Sequence, residues 1–438
     1  MSDKSGAGAS HDTCTTTPVG QDGAPENRTP NPEEPSAEPR NRPSQTARII
    51  RQISNGSTLT TVLAIAASLV VGAIFIVLTN SQVQQSMGSL LTHPLTPMQE
   101  VGHAVADAYA SLFRGGIYDY TQPSFVEAVK PLFTSLSFAA PLIAAGLGIG
   151  IGFRAGIFNI GGQGQILVGG ALAGWIGYAL PMPAGIHLLV AVVAGLIGGA
   201  LFAGIAGLLK ATTGAHEVIV TIMLNYIAFY LLSYLLTTVM KASHSDNPTS
   251  PPELPTAVFP SLLGSPFALN LGLIVVIALV ILSWWLISRS SLGFQFRAVG
   301  ENPEAARTAG INVKRVIILT MLVSGGLVGF AGVYQVLGQT TTGFTSAFDA
   351  GIGFNAITVA LLGRNKPMGI LWAGILFGVF QAGGYAMQAD EGVDINIVDV
   401  LQSIIVLFIA APPLVRTIFR LPAPDRRRRR STKEATAR

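Results

Sequence analysis

The residues of this sequence that could do chemistry are mostly neutral amides and aromatic rings within long apolar stretches. An amide both donates and accepts hydrogen bonds and carries no charge, so a group of amides suits a neutral polar solute such as a sugar or nucleoside. Aromatic rings would add a stacking surface. Asparagine and glutamine also hold membrane helices together, and that interpretation stays open for each residue. The candidates for a solute pathway are Asn159, Gln163, Gln165, Asn225, Tyr226, Gln339, Phe354 and Asn355.

Catalytic patterns are not evident in the chain. No lysine stands in the glycine-rich pattern that binds the phosphates of ATP, and no two histidines have the i, i+4 spacing of a zinc protease. Cys14 is the only cysteine, so no disulfide can form within one chain. The residues from Val316 to Phe348 carry no charge, which argues against a proton-coupled carrier and a charged substrate. The sequence therefore predicts no enzyme activity, no metal site and no cofactor in this chain.

The elements that must position these residues are membrane spans. Half of the residues are hydrophobic and 11% are charged, whereas a soluble domain has about 25% charged residues. The composition predicts an all-α polytopic membrane protein with about ten transmembrane helices. Residues 354–363 are too few to cross ~30 Å of hydrocarbon upright, so they form either a half-helix or a span extended by 345–353. The predicted apolar segments are 58–79, 131–153, 156–180, 184–209, 218–239, 268–288, 316–337, 354–363, 367–387 and 397–414.

The polar segments define the domain organisation and the orientation. The sequence predicts a disordered tail at residues 1–46, a transmembrane domain at residues 47–415 and a basic tail at residues 416–438. Within the transmembrane domain, the sequence predicts a loop with short helices at residues 80–130 and a second polar loop at residues 240–266. Lysine and arginine are concentrated in alternate connections, and this bias predicts that both termini are cytoplasmic.

One stretch within the third predicted span is unusually rich in glycine. Four of the ten residues from Gly156 to Gln165 are glycines. Glycine costs about 1 kcal/mol relative to alanine inside a helix, so we expect this stretch to be unwound or pressed against another backbone. Broken helices of this kind commonly lie beside transport pathways.

A short helix with clear end signals lies in the polar segment 289–315. Asn302 is a suitable N-cap, Pro303 suits the first helical position, and Glu304 complements the positive helix end. Gly310 is a natural stop beyond the end of the helix. A helix of about two turns is marginal alone in water. The segment is therefore either an ordinary surface loop or a docking site for a partner protein.

Four motifs together resemble those of a known family. They are residues 158–165 (FNIGGQGQ), 217–226 (EVIVTIMLNY), 297–306 (RAVGENPEAA) with 309–311 (AGI), and 353–363 (GFNAITVALLG). Their types and order resemble the bacterial ABC importer permeases of the branched-chain amino acid/simple-sugar type. Within that family the resemblance is greatest to permeases of nucleoside importers that work with basic-membrane-protein-like lipoproteins. The resemblance extends over about residues 58–415.

The resemblance implies a type II-like permease domain in the bacterial cell membrane. Its expected partners are a second, similar permease, an ATP-binding subunit with two nucleotide sites and an extracytoplasmic substrate-binding lipoprotein; ATP would bind to the partner. Residues 297–311 would then be the segment that couples to the ATP-binding subunit, through Gly300, Glu301, Asn302, Pro303, Glu304, Ala305, Arg307 and Gly310.

Three functions remain as alternatives at this point. The first is import of a neutral polar solute, with nucleosides preferred and a ribose-like simple sugar as the alternative. The second is a stand-alone channel or facilitator, which needs no ATP-binding subunit. The third is a membrane scaffold for a soluble partner, in which the amides serve only to hold helices together.

Overall fold

The structure is a computed structural model that describes residues 57–87, 95–243, 245–264, 267–410, Thr417 and Arg420. These residues belong to the compact unit Gln52–Arg438. Their regular structure is helical, with one isolated antiparallel bridge between Ser261 and Asn270. The predicted all-α fold is confirmed for this part of the chain. The predicted tail 1–46, and the tail 416–438 except for Thr417 and Arg420, lie outside the described residues.

The described helices include long apolar elements and a few short polar ones. In chain order they are α1 Ser57–Thr79, α2 Ser81–Met87, α3 Leu95–Gly116, α4 Phe125–Arg154, α5 Gly162–Ala179, α6 Ile186–Thr213, α7 Glu217–Thr237, α8 Leu271–Arg289, α9 Ser291–Glu301, α10 Pro303–Thr308, α11 Val313–Tyr334 with its π-helical continuation Gln335–Gln339, α12 Ile352–Leu362, α13 Pro367–Glu391 and α14 Asn396–Ala410.

Six of the described helices are long and apolar enough to cross a membrane: α4, α6, α7, α8, α11 with its π-helical end, and α13. Shorter apolar stretches occur at Ala66–Thr79, Ile352–Leu362 and Asn396–Phe408. The prediction of a polytopic membrane protein is confirmed, and the number of ten spans stays a prediction.

Glycines bring the central helices into close contact. A Cβ atom on Gly329 of α11 would lie 2.8 Å from the carbonyl oxygen of Gly195 on α6, and one on Gly199 would lie 2.6 Å from the Cα of Gly329. Lipid offers no hydrophobic driving force between helices, so close backbone approach through small residues supplies much of the packing energy. The glycine content of the sequence thus explains why α6 and α11 form the densest seam of the bundle.

The segment 80–130, predicted as a loop with short helices, contains a short helix, α2, and a long helix, α3. α3 extends over 22 residues and α4 begins at Phe125, before the predicted start at residue 131. Glu100, His103 and Asp107 lower the mean hydropathy of α3, although its apolar residues follow helical spacing. α3 packs on α13, where a Cβ atom on Gly116 would lie 2.7 Å from the carbonyl oxygen of Val379. The prediction missed the length of α3 because mean hydropathy does not detect amphipathic helices.

Candidate functional site

An unwound stretch joins α4 to α5. α4 ends at Arg154 and α5 begins at Gly162, so residues 155–161 leave the helical path. Gly156 has a φ of 72°, a left-handed conformation that favours glycine. The predicted helix start at residue 156 was therefore wrong, and the expected unwinding of the glycine-rich stretch 156–165 is confirmed for residues 156–161, whereas 162–165 are helical.

The side chain of Asn159 fastens this stretch to its surroundings. Its Nδ2 donates to Gln165 Oε1 at 3.1 Å and to Ser324 Oγ on α11 at 3.0 Å. Its Oδ1 accepts from Gln165 Nε2 at 2.9 Å and from the Gly161 N–H at 3.0 Å. Both amides are fully buried. The hydrogen-bonding capacity of the Asn159 amide is therefore used within the chain, which favours a structural role in this conformation.

Asn225 fastens α7 to the same stretch. Its Oδ1 accepts from the Gly164 N–H at 2.9 Å, and its Nδ2 donates to the Ile160 carbonyl at 3.0 Å. At the start of α7, Lys210 and Glu217 form an ion pair of 2.6 Å. The interhelical interpretation is therefore favoured for Asn225 as well.

Gln339 lies apart from this group, at the end of the π-helical segment. Its Nε2 donates to the carbonyl oxygen of Ser137 on α4 at 2.8 Å. Of the predicted pathway residues, Asn159, Gln165 and Asn225 thus meet around the unwound stretch, whereas Gln339 does not join them.

α12 is a short helix with an unusual start. Its 11 residues span about 16 Å, roughly half of the ~30 Å hydrocarbon thickness. The buried carboxylate of Asp349 accepts the N–H groups of Gly351 at 3.2 Å and Gly353 at 3.1 Å. The geometry favours the half-helix over an extended span. Sequence reasoning missed Asp349, although an aspartate just before a helix is a familiar capping signal.

The start of α12 touches the start of α5 through backbone. A Cβ atom on Gly162 would lie 2.8 Å from the carbonyl oxygen of Gly353. Beside the buried amides and this contact, several side chains remain accessible: Gln163 and Asn355 are half-buried, while Tyr226 and Phe354 are exposed. We call these four residues, with the exposed Phe158, the half-helix patch. They are neutral and combine amides with aromatic rings.

α7 also presents tyrosines on its exposed face. Tyr226, Tyr230 and Tyr234 recur at intervals of four residues, and each is more than half exposed. Their hydroxyl groups would lack hydrogen-bond partners in the hydrocarbon of a bilayer. This face therefore suits a polar path or a partner subunit better than lipid. Sequence reasoning missed Tyr230 and Tyr234, although their spacing was visible in the sequence.

The segment predicted to couple to a partner forms α9 and α10. Asn302 caps α10, because its Oδ1 accepts the N–H groups of Glu304 and Ala305 at 3.0 Å. Pro303 opens the helix and Gly310 follows its end with a φ of 83°. The predicted short helix is confirmed at both ends.

The surface of this segment is mostly accessible. We call the exposed residues Glu301, Asn302, Pro303, Glu304, Ala305, Arg307 and Gly310 the docking face. Glu304 and Arg307 are 76% and 63% exposed and form an ion pair of 3.0 Å. Gly300 turns inward instead, and a Cβ atom there would lie 3.0 Å from the Cα of Ala155. Gly300 is half-buried and contributes to the position of the segment more than to its exposed surface.

The connection between α7 and α8 contains a buried carboxyl group. Glu253 and Leu254 donate their N–H groups to the Thr341 carbonyl at 2.9 Å and the Gly177 carbonyl at 3.1 Å. These bonds hold the connection over the end of α5. Neither carboxylate oxygen of Glu253 has a hydrogen-bond partner among the described residues. Burial raises the pKa of Glu253 from 4.5 to about 8.

The raised pKa of Glu253 predicts that the free energy of unfolding depends on pH. Between pH 4.5 and 8 the unfolded chain ionises before the folded one, so stability falls by up to about 1.4 kcal/mol per pH unit. Below this pH window Glu253 is protonated in both the folded and the unfolded chain. Above the window Glu253 is ionised in both, and the free energy of unfolding falls no further. Glu253→Gln is expected to raise the thermal midpoint at pH 8 but not at pH 4.5. Unfolding of the purified protein in lipid nanodiscs at both pH values measures this, and an equal effect at both would contradict it.

The chain is similar to known transport proteins over most of its length. The family described as branched-chain amino acid transport system / permease component matches residues 132–410. The guanosine ABC transporter permease protein NupP of Bacillus subtilis is 36% identical over 319 residues, which are 72% of this chain and 89% of that protein.

Two further relatives have similar coverage. The nucleoside ABC transporter permease protein NupB of Lactococcus lactis is 34% identical, with 67% of this chain and 83% of that protein covered. The glucose ABC transporter permease protein TsgB13 of Haloferax volcanii is 32% identical, with 65% and 78% covered. No solved structure matches the chain.

Proposed function

Because the chain belongs to the family of branched-chain amino acid transport system permease components, we propose that it imports a neutral polar solute, most of all nucleosides. Members of this family are multi-pass proteins of the cell membrane, and they are transport subunits, not enzymes. The single observation that carries the proposal is the half-helix patch, an accessible set of neutral amides and aromatic rings beside a broken helix. Such a set can hydrogen-bond a sugar and stack on a base.

The relatives favour nucleosides and keep sugars as the second candidate. NupP and NupB are described as guanosine and nucleoside permeases, whereas TsgB13 is described as a glucose permease. A nucleoside contains both a sugar ring and a base, and the aromatic residues Phe158 and Phe354 would serve the base. A simple sugar such as ribose would need the amides of Gln163 and Asn355 more than the rings.

The membrane orientation we propose has both termini in the cytoplasm and about ten spans in a type II-like arrangement within residues 47–415. Arg154, Lys210 and Arg289 lie in the last turns of α4, α6 and α8. Concentration of basic residues at one end of the helices supports a cytoplasmic position for that end. The docking face follows α8 and would then be cytoplasmic as well.

The partners follow from the type of transporter. ABC permeases work with an ATP-binding subunit and a substrate-binding protein. For this chain we propose an ATP-binding subunit with two nucleotide sites, a second permease subunit and an extracytoplasmic lipoprotein. ATP would bind to the partner and no cofactor to this chain. The exposed face of α7 that carries Tyr226, Tyr230 and Tyr234 would contact the second permease. The solute would pass between the two permease subunits, beside the half-helix patch.

The docking face is the proposed contact with the ATP-binding subunit. Its capped helix presents an exposed acid and an exposed base at a short, well-ordered turn. A rigid knob of this kind can transmit movement of a partner into the membrane domain.

Uptake by the reconstituted complex tests this function. Proteoliposomes containing this chain and its partners are expected to accumulate radiolabelled guanosine only with ATP, and guanosine should stimulate ATP hydrolysis. Stimulation by ribose but by no nucleoside would favour the sugar alternative. Flux through this chain alone, without the ATP-binding subunit, would favour a facilitator. A complex that moves none of these solutes with ATP would contradict the proposal.

A further inference from the structure

Arg154, the last residue of α4, contacts both α9 and the turn between α12 and α13. Its Nε donates to the carbonyl oxygen of Asn365, in the turn between α12 and α13, at 2.7 Å. Its own carbonyl oxygen is the atom that a Cβ on Gly300 of α9 would meet first. One residue therefore lies between the docking segment and the end of the half-helix.

The contact between α9 and the end of α4 is made by backbone. A Cβ atom on Gly300 would lie 2.9 Å from the carbonyl carbon of Ala155, and one on Gly156 would lie 3.3 Å from the Cα of Gly300. Side chains can adjust to a displacement by changing rotamer, but backbone atoms in contact cannot. A shift of α9 must therefore move the residues around Arg154.

The turn that Arg154 holds is strained. Arg364 and Asn365 have φ values of 53° and 55°, so two consecutive non-glycine residues are left-handed. This conformation is unfavourable for residues with a Cβ atom. The Asn365 N–H donates to the Ala360 carbonyl at 2.9 Å, which ties the turn to α12. Pulling on the Asn365 carbonyl would therefore move the C-terminal end of α12 as a unit.

We propose that Arg154 is the positioning residue that transmits movement of the docking segment to the half-helix α12. α9 displaces Arg154 through Gly300, and Arg154 displaces α12 through its hydrogen bond to Asn365. The half-helix patch includes Phe354 and Asn355 at the other end of α12, so this link would couple the partner to the solute path. The inference rests on the proposed function of the docking face and of the patch.

The test separates coupling from assembly in the full complex. Arg154→Gln is expected to retain the ATP-binding subunit on purification and to keep basal ATP hydrolysis within about twofold of wild type. Uptake per ATP hydrolysed should fall at least tenfold, and guanosine should no longer stimulate hydrolysis. Arg154→Lys can still donate to the Asn365 carbonyl and should restore part of the coupling. Arg364→Gln removes a positive charge from the same turn at an exposed position and is expected to behave as wild type.

A second variant keeps the test decisive if Arg154→Gln fails to fold. Asn365→Gly retains the carbonyl acceptor but relieves the left-handed strain, so the turn becomes compliant and coupling should fall severalfold. A distance measured between spin labels at Thr308 and Leu361, in a variant without Cys14, should stay nearly constant with ATP in the parent, where the two elements move together, and change more in either variant.

The outcomes distinguish this inference from the proposed function. If the wild-type complex shows no ATP-dependent uptake, the proposed function fails. If the wild type is coupled and both Arg154→Gln and Asn365→Gly retain normal uptake per ATP, the role of Arg154 is overturned. If Arg364→Gln loses coupling as strongly as Arg154→Gln, the charge of the turn matters and the hydrogen bond does not.

Discussion

Glu304→Arg is expected to abolish solute uptake while the chain still inserts and folds. Glu304 is 76% exposed, so its ion pair with Arg307 contributes at most about 1 kcal/mol to stability. Removal of one partner from a buried charge pair across a protein interface, in contrast, costs about 2–5 kcal/mol of binding free energy, and we expect Glu304 to form such a pair. Loss of that contribution would weaken binding of the ATP-binding subunit by roughly 30-fold or more. Copurification of that subunit and ATP-dependent uptake measure the effect.

A charge-swapped double variant separates docking from local stability. Glu304→Arg combined with Arg307→Glu restores an ion pair of opposite polarity within α10. If the docking face binds a partner, the double variant stays defective because both charges now face the wrong groups. If uptake recovers, the single substitution acted through the intrahelical pair, and normal uptake in the single variant would contradict the docking role altogether.

Asn159→Leu is expected to lower the free energy of unfolding by about 3 kcal/mol. The substitution leaves the buried amide of Gln165 and the N–H group of Gly161 without their partner at Asn159. It also removes the donor that reaches Ser324 on α11. A thermal midpoint several degrees below wild type, measured in lipid nanodiscs, is the expected result.

Accessible amides provide the matched controls for this prediction. Gln163→Leu and Asn355→Leu make the same kind of change at half-buried positions of the half-helix patch. These variants are expected to keep the wild-type thermal midpoint and to lose much of their uptake. If Asn159→Leu instead keeps its stability and loses uptake, the buried amide serves the solute directly, and the assignment of roles among the amides is reversed.

The short helix of the docking face shows which predictions sequence can support. Every signal for α10 lies within a few residues: an asparagine cap, a proline at the first position and a glycine beyond the end. Capping depends on neighbours along the chain, so the sequence suffices to predict both ends. The role of this helix as a docking site, by contrast, depends on a partner and stays a proposal.

The amides show where such predictions stop. Asn159, Gln163 and Gln165 lie within seven residues and have similar chemistry, yet the first and last are buried and paired while Gln163 remains accessible. The difference comes from Ser324 on α11 and from the backbone contact with Gly353, both distant in sequence. No local pattern contains this information. Asp349 differs, because its capping signal is local in the sequence and only its burial becomes evident from the structure.

The sequence by itself determined the class of protein, its family and its local helix signals. Composition and hydropathy report the solvent that each segment requires, and this requirement acts residue by residue. Only the tertiary structure decided that α12 is an 11-residue helix whose start contacts the start of α5, that Asn159 and Asn225 are used within the chain, and that Arg154 lies between α9 and the α12–α13 turn. These features depend on which atoms of distant segments contact one another in the helical bundle. A local sequence pattern does not record such long-range contacts.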